Sequence, residues 1–189
     1  MDMISSKIFF TGDFVQKSLS DWIASDLPIT AVFGDLTEAP GDCDFIFVGN
    51  KAERTIEMMD LLQTNTIRIK VEHQCIEDAA ATLLSALYGD IFVGMDWQDV
   101  HSALSGEGEP ATYLGGLSED ELFQNKTLYE KAKGLFLYAL APKDSTLEGI
   151  DKATRRFSDF LSSDVNFVWT FSFDENLKDP MYSLFVKNS

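Results

Sequence analysis

The chain has 189 residues, 45% of them apolar and 15 of them phenylalanine, enough for one large folded domain or two small ones and incompatible with a disordered chain. Its formal net charge of −16 excludes sequence-independent binding to nucleic acid or to an anionic membrane, because phosphate needs a positive partner. Arginine is scarce (Arg54, Arg68, Arg155, Arg156), which is thin material for gripping a nucleotide by side chains. Cys43 and Cys75 form neither a disulfide framework nor a metal spacing.

The opening residues, MDMISSKIFF, lack the basic start and long apolar stretch of a secretion signal, and no run reaches membrane-span length. A reducing cytoplasm is the expected location. KIFFTGDF (7–14) reads as a buried strand, with Val15, Leu19, Trp22 and Ile23 at helical spacing behind it. ITAVFGD (29–35) is a second strand, closed by the turn EAPGD, and DFIFVGN (44–50) a third. Ala52, Ile56, Met59 and Leu62 mark an amphipathic helix, and TIRIKVE (66–72) a fourth strand. This alternation predicts a parallel α/β layer with right-handed crossovers.

IEDAAATLLSALYG then predicts a helix over 76–88, with Ile76, Ala79, Ala80, Leu83, Leu84 and Leu87 on one stripe and Gly89 as its cap. It runs into GDIFVGMDWQDV (89–100), where Asp96 and Asp99 flank Trp97. Acidic residues at a helix start are stabilised by the dipole, by ~0.3–1 kcal/mol each, so the bland reading of this pair is a helix N-terminus. The sharper reading is a contact with a partner. Trp97 is either tucked back under the turn or an interface anchor. His73 and Cys75 supply too few ligands for a metal, and neither a metal nor a cofactor is expected.

Beyond this loop the pattern changes. SGEGEP (105–110) is a turn and ATYLGG (111–116) a short strand. Ser118 with Glu121 is a capping-box signature for a helix through about Lys133, and GLFLYALAP (134–142) is a strong strand. Ser145 with Glu148 predicts a second capping box, opening a helix along Leu147, Ile150, Ala153, Thr154, Phe157, Phe160 and Leu161. VNFVWTFSF (165–173) and MYSLFVK (181–187) close the chain as two strands around a polar turn. Tyr113, Phe136, Phe157, Phe167 and Trp169 fall at core-facing spacings. The expected organisation is an α/β layer over 1–75, a central helix and loop over 76–100, and an α+β region over 101–189.

DENLKDPMYSLFVKNS is similar to the final hairpin of FtsZ, the cell-division GTPase of the tubulin family, and GLFLYALAP with TLEGIDKA resembles its preceding strand and helix. GMDWQDV resembles the family's synergy loop, Asn-Leu-Asp-Phe-x-Asp-Val, with Gly94 in place of the asparagine. The likeness covers residues 76–187 and extends more weakly to the front. There, after the strand DFIFV, the family's signature GGGTGTG is replaced by Lys51, Ala52, Glu53 and Arg54. Glycines in that loop let backbone N–H groups close around phosphate, which these side chains obstruct and Glu53 repels. TGDF likewise keeps one glycine of the first phosphate turn and adds Asp13.

The resemblance implies an α/β fold, a reduced tubulin/FtsZ-like architecture in which a small parallel Rossmann-like layer joins a carboxy-terminal α+β domain through a central helix. It implies a pseudo-GTPase, without catalytic or cofactor-binding residues, that binds FtsZ or a related filament through Gly94, Asp96, Trp97 and Asp99 and modulates its assembly. In the family this loop acts on the nucleotide of the neighbouring subunit. Two alternatives stay open: a self-assembling structural protein that needs no nucleotide, and a residual GTPase with a remodelled loop. The sequence ends directly after the last strand, so the linker and tail that recruit membrane-tethering partners are not expected, nor is direct membrane attachment.

Overall fold

A computed structural model of the chain describes residues 6–11, 29–34, 43–49, 66–72, 75–89, 95–124 and 126–188. Four short runs form strands β1 (Ser6–Thr11), β2 (Ile29–Gly34), β3 (Phe45–Gly49) and β4 (Ile67–Val71). They are parallel, in the order β2-β1-β3-β4. Parallel sheets are covered on both faces, and β3 accordingly buries Phe45, Ile46, Phe47 and Val48 in succession, without alternation.

Helix α1 (Ile76–Tyr88) follows β4 and buries Ile76, Ala79, Ala80, Leu83 and Leu84, while Leu87 is half-buried at the margin of the same core. Each fully buried leucine contributes roughly 1.5–3 kcal/mol. The helix ends at Tyr88, and the Gly89 N–H donates to the Ser85 carbonyl at 2.9 Å. Gly89 is extended, not left-handed; a Cβ there would lie 2.5 Å from the Ser85 oxygen, so close approach is what selects glycine. Helix α2 (Trp97–Leu104) comes next.

Strand β5 (Ala111–Leu117) then pairs in parallel with β4, through Ile69 with Ala111 and Lys70 with Thr112. Strands β6 (Ala132–Pro142), β7 (Asn166–Asp174) and β8 (Met181–Asn188) complete one eight-stranded sheet, β2-β1-β3-β4-β5-β8-β6-β7. The two expected layers therefore share a continuous sheet. Strand β8 runs antiparallel to both its neighbours, β5 and β6. The expected terminal hairpin does not form, because β6 lies between β7 and β8 and pairs with both. β6 is buried along most of its length, and a buried central strand needs a hydrogen-bonding partner on each side.

The helix expected from Ser118 to about Lys133 is also shorter. The capping box is present: the Glu121 N–H donates to Ser118 Oγ at 3.3 Å and the Ser118 N–H to Glu121 Oε2 at 2.9 Å. The Ser118 N–H and, at 2.7 Å, the Ser118 hydroxyl both donate to Glu121 Oε2 and hold that carboxyl below its ordinary range. Helix α3 nevertheless spans only Glu119–Gln124, followed by a 3₁₀ turn at Lys126–Leu128. Tyr129 folds under α3, its hydroxyl donating to the Leu122 carbonyl at 2.9 Å, and Ala132 already pairs with Asn188 in the sheet. Sheet pairing overrides the helical propensity of the lysine- and glutamate-rich stretch. Helix α4 (Leu147–Ser158) is capped by Thr146, whose hydroxyl accepts from the Gly149 N–H at 3.1 Å, and not by the expected box of Ser145 and Glu148; it ends before Phe160 and Leu161, which the expected stripe had included.

The cores lie on opposite faces of the sheet. One joins β3 and β4 to α1, α2, Tyr113, Phe136 and Phe185; the other joins Leu135, Leu137, Phe171 and Leu184 to Leu122, Tyr129 and Phe157. No helix among the described residues is long and apolar enough to cross a membrane.

Candidate functional site

Strand β4 delivers the chain to the carboxyl ends of the parallel strands, and α1 carries it back to their amino ends. There the loop before α2 is set. Asp96 is the N-cap of α2 and Asp99 its third residue, and the two form a reciprocal capping box. The Asp99 N–H donates to Asp96 Oδ1 and the Asp96 N–H to Asp99 Oδ2, both at 3.0 Å. Both side chains are exposed, and the second oxygen of each carboxylate takes no part in the cap. Ser102 Oγ donates to the Asp99 carbonyl at 2.8 Å and accepts from Asn166 Nδ2 at 3.2 Å, which ties α2 to the start of β7.

Trp97, between the aspartates, is turned inward. Its ring meets Phe45 edge-on at 4.6 Å and His101 at 5.5 Å, packing against the first core. Val100, Ala103 and Leu104 are buried beside it. The helix lies so close to β6 that a Cβ on Gly134 would fall 1.6 Å from the Ala103 carbonyl oxygen. The acidic pair thus stands at the exposed end of a helix fixed to the sheet along its length. Gly94, the remaining member of the expected partner-binding set, lies outside the described residues, as do Lys51 to Arg54, Gly12 and Asp13.

The turn after α2 carries a feature that sequence reading passes over. Arg68, buried on β4, donates through Nη2 to the carbonyls of Gly106 at 3.2 Å and Gly108 at 2.8 Å. Lys187, buried on β8, donates to the Glu109 carbonyl. Gly106 and Gly108 have φ of +110° and +92°, conformations that favour glycine. Two cations thus pin an exposed acidic turn from beneath. Arg68, a cation between Ile67 and Ile69 in the strand TIRIKVE, is the available sequence signal for this.

Along α1, Asp78, Thr82 and Ser85 form a polar row facing the carboxy-terminal strands. The Tyr113 hydroxyl lies 2.6 Å from Asp78 Oδ2, 3.1 Å from Thr82 Oγ1 and 3.3 Å from Ser183 Oγ. Burial first, and then the Asp78 carboxylate, push the Tyr113 hydroxyl well above its ordinary range. Gly115 leaves room for this cluster, since a Cβ there would sit 2.2 Å from the tyrosine oxygen. Tyr138 bonds Ser172 at 2.5 Å and also meets Ser85. Between these groups, Asp174 and Glu175 lies an open cleft of about 520 Å³. A second, of about 330 Å³, opens where β4 and β5 diverge beyond Lys70 and Thr112, beside Glu72 and Cys75. Burial, and then Glu72 and Asp78, raise the Cys75 thiol, the reverse of what a nucleophilic thiolate needs. Among the described residues no group of three or more His, Cys, Asp or Glu side chains is placed to hold a metal.

No protein-family model matches the sequence, and no curated protein matches it. Solved structures match it in fold. The empty FtsZ dimer of M. jannaschii gives a TM-score of 0.66 at 13% identity, covering 98% of this chain and 88% of that one. A point mutant of the same FtsZ gives 0.66 at 13% identity, with 98% and 91% covered. CetZ from Methanosaeta thermophila gives 0.57 at 10% identity, with 98% and 87% covered. The chain has the mixed α/β, tubulin-like fold of FtsZ and CetZ.

Proposed function

We propose that the protein is a non-catalytic, FtsZ-like modulator of filament assembly, which engages FtsZ or a related filament through the loop ending in Asp96, Trp97 and Asp99. The observation that carries this reading is the exposed aspartate pair on a helix fixed to an FtsZ-like sheet. In FtsZ the corresponding loop meets the nucleotide of the next subunit. The replacement of the glycine signature by Lys51, Ala52, Glu53 and Arg54 supports the loss of this chain's own nucleotide site. A protein with the first face and without the second joins a filament at one end only, and nothing adds beyond it. The two carboxylates approach a neighbour's phosphates, so simple attraction is not their use; holding water or a bridging cation is.

Trp97 supports the helix from within and leaves the contact to the aspartates. Sedimentation with FtsZ tests the reading. Wild-type protein is expected to pellet with filaments, and Asp96→Asn with Asp99→Asn to pellet less, because asparagine keeps the cap acceptors but removes the charge. Failure of the wild-type protein to pellet, or equal pelleting by both, removes the loop as the contact. Calorimetry with GTP separates the rival enzyme reading: micromolar affinity would establish a residual nucleotide site in place of a pseudo-GTPase.

A further inference from the structure

We propose that Arg68 and Lys187 are positioning residues for the acidic face: they clamp the turn behind α2 and so hold the helix that presents Asp96 and Asp99, a role that rests on that pair being the contact. β5 lies between β4 and β8 in the sheet, so the turn that leads into β5 is flanked by both strands. Arg68 comes from β4 and reaches the carbonyls of Gly106 and Gly108, and Lys187 comes from β8 and reaches that of Glu109. The two side chains also leave opposite faces of the sheet. Ile67 and Ile69 face the first core, which sends Arg68 to the other side. Lys187 shares the side of Phe185, in the first core, and alternates with Val186, in the second. A turn gripped from both faces is kept from tilting towards either.

Arg68 is 8% exposed and Lys187 5%, and taking a cation out of water costs more than a surface hydrogen bond returns. Every residue from Gly106 to Glu109 is exposed, so water could satisfy these carbonyls without any cation. Fixing the turn is therefore what the buried charges accomplish. α2 is short enough to need it, because an eight-residue helix is well under the ~12–15 residues at which a helix is even marginal alone. At the end beside the turn, the Ser105 N–H donates to the His101 carbonyl at 2.9 Å. At the other end the bond from the Val100 N–H to the Asp96 carbonyl is long, at 3.4 Å. The helix is thus tightest where it meets the clamp, and a two-turn helix that frays there loses its capping box as well. The cations act on the aspartates through the helix.

Amide hydrogen exchange of the isolated chain, followed by NMR, is expected to quicken at least about fivefold at Asp99 and Val100 in Arg68→Met, with Leu83 and Leu84 of α1 unchanged. Lys187→Met is expected to act in the same direction. Gly106→Ala loosens the turn from outside: nothing lies within 4 Å of the added Cβ, so only the φ of +110° resists it. It carries the test where a variant lacking a buried cation does not fold. Co-sedimentation with FtsZ is expected to weaken at least about threefold in Arg68→Met. Ile150→Val, which trims the second core, is expected to leave both readouts unchanged. Exchange that stays slow in α2, or that quickens equally in α1, overturns the proposal, because the cations would then serve the fold alone. So does an α2 that loosens while pelleting is unchanged. If the wild-type chain does not pellet with FtsZ, the reading of the contact falls, and the exchange comparison still decides the clamp.

Discussion

Asp96 and Asp99 stabilise the helix that presents them, and this dual position decides how the site can be tested. Removing the Asp96 carboxylate altogether, as in Asp96→Ala, is expected to cost about 1 kcal/mol through the lost cap. That corresponds to roughly 2–4 °C in melting temperature for a chain of this size, whereas Asp96→Asn is expected to melt like the wild type. Equal melting of all three would show that the capping box does not matter in solution. Tyr182 makes a second residue-scale prediction. Burial, and then Glu119, raise its hydroxyl from an ordinary 10.0 to about 12, so the fold favours the neutral form. Its contribution to stability is intact below pH 10 and is lost as pH climbs from 10 towards about 12. Denaturant midpoints measured across that window are expected to fall more steeply for wild type than for Tyr182→Phe; parallel slopes would count against it.

At the scale of elements, what was legible followed from how local the signal is. The stripe on α1 and the runs of β3 and β4 could be read directly, because periodicity and continuous apolarity sit within one segment. The box of Ser118 with Glu121 was legible for the same reason. Other features were not, because distant partners set them. β6 begins at Ala132, two residues before its expected start, because Ala132 pairs with Asn188. The α4 cap moved from Ser145 to Thr146, one hydroxyl along, which spacing alone does not distinguish. Tyr113 read as an ordinary core residue, yet its hydroxyl joins Asp78, 35 positions earlier, to Ser183, 70 positions later. The carbonyls that Arg68 and Lys187 reach, 38 to 78 positions away, were not legible for the same reason. Burial of α1 in the first core, against the one sheet, predicts that Leu84→Asp, which forces an unpaired charge into that core, leaves the protein unfolded or insoluble. A soluble variant with an unchanged melting curve would place that helix at the surface instead.

For the whole molecule, one sheet carries the parallel strands and the carboxy-terminal strands together, with α1 and α2 packed on the same core. The face with Asp96 and Asp99 is therefore held by the entire fold and does not depend on a flexible loop tip. In the proposed function, this rigid face meets the exposed end of a filament, while the degenerate loop at Lys51–Arg54 prevents another subunit from following. Such a protein acts as a cap, not as a sequestering partner, and the distinction is one of stoichiometry. The most direct measurement is the length distribution of FtsZ filaments, by electron microscopy, at increasing ratios of this protein. Marked shortening at substoichiometric ratios, relieved by Asp96→Asn with Asp99→Asn, is the predicted result. Filaments that keep their length until the two proteins are equimolar, or that never shorten, would contradict it.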